Sequence, residues 1–513
     1  MGTPVSTNTS LPAAALLPSR VTWTLLAVWL ALAVPLFTGM PLNSDTALYD
    51  IQARSVLQGG VAYRDIVEPN LPGALWIHLG LRSLAGWSSE SIRIADLVLL
   101  TAALWLWSTA VGQTRNAFAV LALSAALFYL TRNEWCHAQR DTWLLLPTGA
   151  AMAVRLHTHR RRMIWSLVEG LCWGCAFWIK PHVIIPAAAV ALFDLKRGDR
   201  PGGLRDIAVV AGGGLLAAVP GIGWLVATGA WEHFLEMMLE WNPQYVAAGR
   251  ERLSLDRWLM MSRRFAPWPW IHLVALPVAL TALIRYLRHG IQESGRRQAL
   301  IGVCYLVWLL QTLTLQHALD YIHVPGLLLA LVVLCSHPWQ IPVVVRRSLV
   351  AAFLVLVTLH SPFLRFRTFQ QWPVVLMKGS TGEVRSRLAH GNLPDWKHLS
   401  RVIRFLNQQQ VSDGDVTCMN VHSVHIYNET RTRPSTRYWS VAILADLFPQ
   451  RADHISREVV RSRHRFVVTE SAETELLGSD RRHAWMNQFT PVFESGSYRV
   501  LAVMSDSDTV AQR

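Results

Sequence analysis

PLNSDTALYD, residues 41–50, follows the first long apolar run of the chain, which begins near Val21. A carboxylate, Asp45, therefore stands just beyond a run suited to a membrane helix, in a segment that also carries Tyr49, Arg64 and Glu68. Anchoring a protein in lipid requires no such group, and ionisable residues at membrane depth are costly and tend to be functional. The stretch predicts a functional carboxylate at the end of a membrane helix.

Composition indicates a membrane protein. Of the 513 residues, 52% are hydrophobic and only 16% are charged, whereas soluble domains carry about a quarter charged residues. The long apolar runs therefore predict membrane spans rather than one large soluble core. A further apolar stretch, 71–84, predicts a re-entrant or surface helix. Eleven candidate spans begin near Val21, Ser91, Ala117, Thr142, Met163, Val183, Ile207, Ile271, Leu300, Tyr321 and Pro342.

Basic residues divide the connecting loops into two alternating sets. The Arg-rich set includes residues 155–162, 196–205 and 285–297, and the positive-inside rule places it on the cytoplasmic side. We therefore expect a multi-pass protein of the cytoplasmic (inner) membrane, with the N-terminus inside and the Asp45 loop and the tail outside. The net charge of +14 is spread over short loops rather than one patch, which argues against a nucleic-acid partner.

The tail changes character after the last span. It has an amphipathic stretch, Leu399–Gln409, and three strand candidates at 415–419, 465–469 and 498–503, a mixture typical of a small α/β domain. The predicted fold class is a polytopic α-helical membrane protein of about 11 transmembrane helices with a small C-terminal α/β extracytoplasmic domain. We predict a disordered cytoplasmic segment 1–20, a transmembrane domain 21–360 whose first outer loop is 40–90, and the extracytoplasmic domain 361–513.

Polar residues gather at the predicted outer ends of the spans. A carboxylate beside a hydroxyl can act as a general base, and Arg or Lys can stabilise a phosphate leaving group. Structural alternatives remain open: Arg64 could pair only with Asp65, Glu134 could pair with a neighbouring Arg, and Arg residues near helix ends reach headgroups. Beyond the Asp45 loop, the clustered residues are Arg132, Glu134, His137, Arg140, Asp141, Lys180, His182, Asn242, Tyr245, Gln316, His317, Asp320 and Tyr321.

The order of these motifs resembles a known family. Asp45-x3-Tyr49, then GGVAYRD at 59–65, then Glu68-x4-Gly73 is similar to the first outer loop of the GT-C glycosyltransferases. That superfamily includes protein O-mannosyltransferases, the aminoarabinose transferases of lipid A and a bacterial RgtA/B/C/D-like group. WIKPH at 178–182, WNPQY at 241–245 and the 316–325 segment resemble later elements of the family. The resemblance extends over almost the whole chain.

The resemblance implies an inverting transfer of one sugar from a polyprenyl-phosphate donor to an acceptor hydroxyl outside the membrane. The acceptor would be a glycan, a lipid or a protein, and membrane lipid would surround the chain. Asp45 takes the place of the catalytic base, and Asp141 matches the second polar loop. A divalent metal is a possible cofactor, with Glu68 and His137 as candidate ligands. The implied substrate-binding residues are Tyr49, Arg64, Glu68, His137, Arg140, Lys180, His182, Asn242, Tyr245, His317 and Tyr321.

Two other classes of function stay open at this stage. One is a transporter or flippase for a lipid or small solute, although the sequence shows no internal repeat of the kind transporters commonly have. The other is a non-catalytic membrane scaffold. The enzyme hypothesis alone requires Asp45 for chemistry, so an Asp45→Asn substitution separates it from both alternatives.

Overall fold

The chain is described by a computed structural model over residues 19–112, 115–157, 162–196, 203–251, 254–289, 293–317, 319–337, 342–390, 394–470 and 489–503. The predicted disordered segment 1–20 falls outside these residues, except for its last two positions. The first helices are α1 (Ser19–Gly39), α2 (Ser44–Leu57), α3 (Gly73–Ala85), α4 (Ser89–Val111), α5 (Arg115–Tyr129), α6 (Arg140–Trp143), α7 (Leu145–Leu156), α8 (Arg162–Ile179), α9 (Ile184–Lys196) and α10 (Gly203–Ala227).

The remaining helices run from the middle of the chain into its C-terminal part. They are α11 (Trp231–Glu236), α12 (Asn242–Glu251), α13 (Leu255–Phe265), α14 (Ile271–His289), α15 (Glu293–Leu315), α16 (His323–Ser336), α17 (Val343–His360), α18 (Phe366–Phe369), α19 (Trp372–Lys378), α20 (Gly382–Leu388), α21 (Trp396–Gln408), α22 (His425–Thr430), α23 (Val441–Leu447) and α24 (Ala452–Arg461).

A helix occupies each predicted apolar run, and α3 occupies the predicted surface stretch 71–84. Among the described residues, five helices are long and apolar enough to cross a membrane, within α1, α4, α10, α14 and α15. Others, such as Met163–Ile179 and Asp320–Ser336, are apolar but shorter. The predicted architecture of many apolar helices followed by a small sheet is therefore confirmed.

Close helix packing in the bundle depends on glycines in α8 and α10. A Cβ atom at Gly170 would lie 2.0 Å from the Val210 carbonyl oxygen, and one at Gly174 would lie 2.7 Å from the Gly214 oxygen. Small residues let two helix backbones approach in this way, which is how apolar helices associate when lipid surrounds them. This contact fixes the C-terminal end of α8, where the chain turns at Lys180.

The C-terminal sheet has four strands, β1 (Val416–Cys418), β2 (Phe466–Glu470), β3 (Phe489–Ser495) and β4 (Tyr498–Val503), in the order β1-β2-β4-β3. β1 pairs parallel with β2, and β4 pairs antiparallel with both β2 and β3. The parallel pair requires a crossover, and α22, α23 and α24 lie between its strands in sequence. The sequence predicted three of these strands and missed β3.

The amphipathic helix α21 closes the core of this region. It buries Trp396, Leu399, Val402, Ile403 and Leu406, which recur at the three- and four-residue spacing of one helix face. The same hydrophobic cluster includes residues of α2 and of the loop after it, such as Ala47 and Val67. The predicted loop around Asp45 is thus buried between the helical bundle and the C-terminal sheet region.

Candidate active site

Asp45 lies in the first turn of α2, and the cap of that helix fixes its position. The Asn43 side chain accepts a hydrogen bond from the Thr46 backbone N–H (2.8 Å) and donates to the His137 carbonyl oxygen (2.6 Å). Thr46 Oγ1 donates to the Ala138 carbonyl oxygen (3.1 Å). The start of α2 is therefore attached directly to the second polar loop, residues 130–144. Asp45 itself is partly exposed, whereas its neighbours from 41 to 55 are buried.

A buried network shapes the second polar loop. Asp96 of α4 accepts hydrogen bonds from Tyr129 Oη (2.8 Å), the Ala138 N–H (2.9 Å) and Trp143 Nε1 (2.8 Å). Ala138 has φ of 52°, a left-handed conformation that is strained for a residue with a Cβ atom and needs support from its surroundings. Asp96 supplies that support through its hydrogen bond from the Ala138 N–H. Ala138 lies two residues before Arg140.

His137 is held within the same network. Its Nε2 contacts the Tyr129 carbonyl oxygen (2.8 Å), and its Nδ1 contacts Arg93 Nη1 (2.8 Å). A carbonyl oxygen can only accept, so Nε2 carries the proton and Nδ1 accepts from Arg93. Burial, followed by the charge of Arg93, lowers the pKa of His137 well below its usual value, which agrees with a neutral ring.

This geometry corrects the role suggested for His137 in binding substrate or metal. Both of its nitrogens are engaged and it is 0% exposed, so it positions the loop instead. Arg93 and Asp96 were absent from the sequence-based set of site residues. Two ionisable residues inside the apolar run that begins near Ser91 were the signal that could have identified them.

Lys180 stands at the break that follows α8. Its Nζ donates to Asp141 Oδ1 and to Gln316 Oε1, the latter at 2.6 Å. Gly73 brings the first loop to the same place, because a Cβ atom there would lie 2.5 Å from the Trp178 carbonyl oxygen. The Gly73 of the family-like motif therefore permits a close backbone approach, two residues from the turn at Lys180.

Four ionisable residues meet at this end of the bundle. Asp45, Arg140, Asp141 and Lys180 are close enough for their charges to affect one another's protonation. They come from α2, α6 and the end of α8, and Tyr321 lies close to Asp45. The cluster that the sequence assigned to separate loops is thus one site.

Arg140 is the least satisfied member of this cluster. Its guanidinium makes no hydrogen bond among the described residues, and its nearest ion-pair partner is Asp141 Oδ2 at 4.0 Å. Asp141 Oδ2 is itself buried and lacks a hydrogen-bond partner in the described part of the chain. Buried guanidinium groups are normally paired. Arg140 is therefore available to a ligand anion.

Burial raises the pKa of two carboxyl groups that lie within electrostatic range of Arg140. It raises the pKa of Asp45 above its usual 3.8, while the hydrogen bond from Gln139 (3.3 Å) and the charge of Arg140 oppose that rise. Burial also raises the pKa of Glu68, with Arg140 as the main opposing charge. A carboxylate with a raised pKa is a stronger base, which suits proton abstraction.

Several predicted substrate-binding residues lie around the cluster. Tyr49 and Tyr245 are within electrostatic range of Arg140 and Glu68. The ring of Tyr245 lies 4.3 Å from that of His317, centroid to centroid. The further neighbours are His182, which is close to Lys180 and His317, and Tyr321, which is close to Asp45.

Two residues that we expected to bind substrate have other contacts. Arg64 has a side chain 51% exposed and pairs with Asp65 at 2.6 Å, which is the loop ion pair that the sequence left open as an alternative. The Asn242 Nδ2 group donates a hydrogen bond to the Pro69 carbonyl oxygen (2.8 Å) and so holds the first loop.

The two suggested metal ligands have hydrogen-bond partners within the described part of the chain. Glu68 accepts hydrogen bonds from the Asn70 N–H (3.0 Å), from the Asn70 amide and from Gln52 Nε2 (3.3 Å). His137 has no nitrogen free. No group of three or more His, Cys, Asp or Glu in the described residues could hold a metal ion.

No protein-family model and no curated protein sequence matches this chain. Solved structures do. ArnT from Cupriavidus metallidurans bound to undecaprenyl phosphate has a TM-score of 0.55 at 14% identity, covering 96% of this chain and 99% of ArnT. The apo state of ArnT also has a TM-score of 0.55 at 14% identity, covering 94% of this chain and 98% of ArnT. The archaeal oligosaccharyltransferase AglB from Archaeoglobus fulgidus gives 0.47 at 11% identity, with 95% and 74% covered.

The class of architecture follows from the match to ArnT together with the helices and sheet. The chain has the fold of a multi-pass membrane protein. More particularly, it shares the fold of ArnT along nearly the full length of both chains. The resemblance in fold predicted from the loop motifs is thereby confirmed.

Proposed function

We propose that this chain is an integral-membrane inverting glycosyltransferase that moves a sugar from a polyprenyl-phosphate donor to an acceptor hydroxyl. The observation that carries the proposal is the proximity of a partly exposed carboxylate, Asp45, to a buried guanidinium, Arg140, which makes no hydrogen bond among the described residues and has only a 4.0 Å ion pair with Asp141. A base and an anion-binding group side by side are what an attack on a phosphate-linked sugar requires. The shared fold with ArnT, whose structure contains undecaprenyl phosphate, supports the choice of donor.

In the proposed reaction, Asp45 takes the proton of the acceptor hydroxyl. The hydroxyl oxygen forms a bond to the anomeric carbon as the bond from that carbon to the phosphate oxygen breaks. A single displacement of this kind inverts the anomeric configuration. The electron pair of the broken bond leaves on the polyprenyl phosphate, and the proton stays on Asp45 until water removes it.

Arg140 and Lys180 would stabilise the phosphate that leaves. A guanidinium forms paired hydrogen bonds to phosphate oxygens, and a lysine adds a compact charge. Asp141 holds Lys180, so its proposed contribution is to orient that charge. Lys180 keeps a second contact with Gln316, which fixes the ammonium group at the end of α15.

The acceptor would approach along α2, on the side of Glu68. Asp45, Tyr49 and Gln52 recur at helical spacing on one face of α2, and Gln52 contacts Glu68. The positive-inside argument places this site on the outer face of the cytoplasmic membrane, with the N-terminus inside and the region 361–513 outside. The acceptor would then be a glycan, lipid or protein of the cell envelope.

The test uses the full chain reconstituted in liposomes. Polyprenyl-phosphate sugars are supplied one at a time with an envelope extract as the acceptor, and release of polyprenyl phosphate is measured. We expect Asp45→Asn to lower release by about 10²- to 10⁴-fold, the usual contribution of a general base. Asp256→Asn, the same change at an exposed position of α13, is the matched control.

Three results would count against the proposal. Full release by the Asp45→Asn protein would remove Asp45 as the base. Movement of the donor lipid between leaflets without release of phosphate would indicate a flippase. A wild-type protein that neither cleaves nor moves any donor would favour the scaffold alternative.

A further inference from the structure

The C-terminal region forms two hydrogen bonds with the first loop at Val67, one residue before Glu68. The Val67 N–H donates to the Arg437 carbonyl oxygen (2.9 Å), and the Val67 carbonyl oxygen accepts from Trp439 Nε1 (3.0 Å). Both backbone groups of Val67 are therefore satisfied by the segment 437–439. Val67 is 0% and Trp439 8% exposed, so water does not compete freely for these bonds.

These two hydrogen bonds matter because Glu68 follows immediately. Its carboxylate is held by Asn70 and Gln52, but the backbone from which it projects is fixed by the contacts of Val67. Pro69 follows and restricts Glu68 to extended backbone conformations. A shift of Val67 would therefore move the Glu68 carboxylate relative to Gln52 of α2, from which it accepts a hydrogen bond (3.3 Å).

The C-terminal region also contacts α2, the helix that carries Asp45. Ser44 Oγ is 3.4 Å from His422 Nδ1, one residue before Asp45. Arg54, at the end of α2, donates to the Tyr427 carbonyl oxygen (3.1 Å) and to Asn428 Oδ1 (3.3 Å). The C-terminal region thus contacts both ends of α2 as well as the loop after it.

We propose that Trp439 is a positioning residue for the site, which acts by holding Val67 so that Glu68 stays against Gln52 of α2. This inference rests on the proposed function and deepens it, since it makes the segment 437–439 of the C-terminal region part of the acceptor side. The recognised group would be a hydroxyl-bearing part of the acceptor, because a carboxylate with an amide neighbour binds hydroxyl groups. Trp439 itself touches neither reactant.

The test compares two Trp→Phe substitutions. Trp439→Phe removes the indole N–H that binds Val67, whereas Trp396→Phe removes a buried indole N–H that makes no hydrogen bond among the described residues. Both changes take the same atoms from a buried ring in the same region. The difference between them isolates the hydrogen bond from the loss of ring volume.

The first readout is hydrogen exchange of the peptide covering 61–72 in the full chain. Loss of one neutral hydrogen bond is expected to speed exchange there by roughly two- to tenfold in Trp439→Phe, and not in Trp396→Phe. Unchanged exchange at 61–72 in Trp439→Phe would refute the claim that Trp439 holds Val67 in place.

The second readout is a double-mutant cycle in the phosphate-release assay, with the donor that wild type cleaves. If Trp439 acts through Glu68, the double variant Trp439→Phe/Glu68→Gln will be no slower than Glu68→Gln alone. Multiplied losses in the double variant would overturn the inference, because independent sites are additive in free energy. Equal rates for wild type and Trp439→Phe would also overturn it.

Failure of the inference and failure of the proposed function are distinguishable. An active wild type with multiplied losses refutes only the positioning role. A wild type that releases phosphate from no donor refutes the proposed function and, with it, the role of Trp439 in transfer. The exchange measurement then still decides whether the C-terminal region holds the first loop.

Discussion

Asp96→Asn tests whether the buried network of α4 builds the site. Asp96 is 0% exposed and accepts from three donors, Tyr129 Oη, the Ala138 N–H and Trp143 Nε1. This is the arrangement that a carboxylate requires. An asparagine has one oxygen and one NH₂ group, so its NH₂ must oppose a donor in either orientation.

The magnitude follows from the number of bonds lost. The better orientation keeps the oxygen on Tyr129 and Ala138 and turns the NH₂ group against Trp143 Nε1. One hydrogen bond to a charged group is then lost, which is worth about 1.5–3 kcal/mol of unfolding free energy. The lost bond from Trp143 loosens the residue three positions after Arg140, and a misplacement of Arg140 by about 1 Å would cost roughly 10²-fold in rate.

The assay is unfolding by SDS titration in mixed micelles, followed by the phosphate-release assay. The matched variant is Asp96→Asn/Trp143→Phe, in which the opposed indole donor is gone, and it should recover part of the lost free energy. A single variant as stable as wild type, or a double variant with no recovery, would refute the hydrogen-bond reasoning.

Three further predictions concern the site itself. The rate of transfer should fall at low pH with a midpoint above pH 3.8, because the base must be ionised and burial raises the pKa of Asp45. Arg140→Gln should move this midpoint to higher pH, since the charge of Arg140 lowers the pKa of Asp45. A midpoint that does not move would contradict the assignment of Asp45 as the base. Lys180→Met should lower the unfolding free energy by about 3–5 kcal/mol in SDS titration, because it removes the hydrogen-bonded partner of the buried Asp141 carboxylate and leaves only the 4.0 Å ion pair with Arg140; unchanged stability would show that the pair is solvated. Gly73→Ala should lower the unfolding free energy by roughly 1–3 kcal/mol, because the added methyl group overpacks the backbone at the end of α8. Gly80→Ala, on an open face of α3, should leave the stability unchanged. Equal melting temperatures for these two variants would contradict the close approach of Gly73 to Trp178.

The fold was largely predictable because its signal is local. Apolar runs identify helices without knowledge of their partners, and each of the predicted runs is helical. The strands β1, β2 and β4 had local signals of the same kind. β3 was missed because it alternates poorly and is mostly exposed, with Pro491 inside it, and only its pairing with β4 makes it a strand.

The sequence predicted which residues gather at the candidate site better than it predicted what each of them does. Asp45, Arg140, Asp141 and Lys180 stand out as ionisable residues at helix ends, and they do meet. The role of His137 could not be read from sequence, because it depends on Arg93, which lies 44 positions earlier. For Arg64, sequence left two interpretations open, and the fold exposed its side chain to solvent.

By itself, the sequence determined that the chain is a bundle of apolar helices carrying costly charges at their ends, because hydropathy and charge are properties of single segments. Only the tertiary structure decided which of those charges are paired. Lys180 donates a hydrogen bond to Asp141 Oδ1, while Arg140, close to Asp45, makes no hydrogen bond among the described residues. The physical reason is that pairing depends on distances of a few ångströms between residues far apart in sequence, which the packing of helices and the docking of the C-terminal region set.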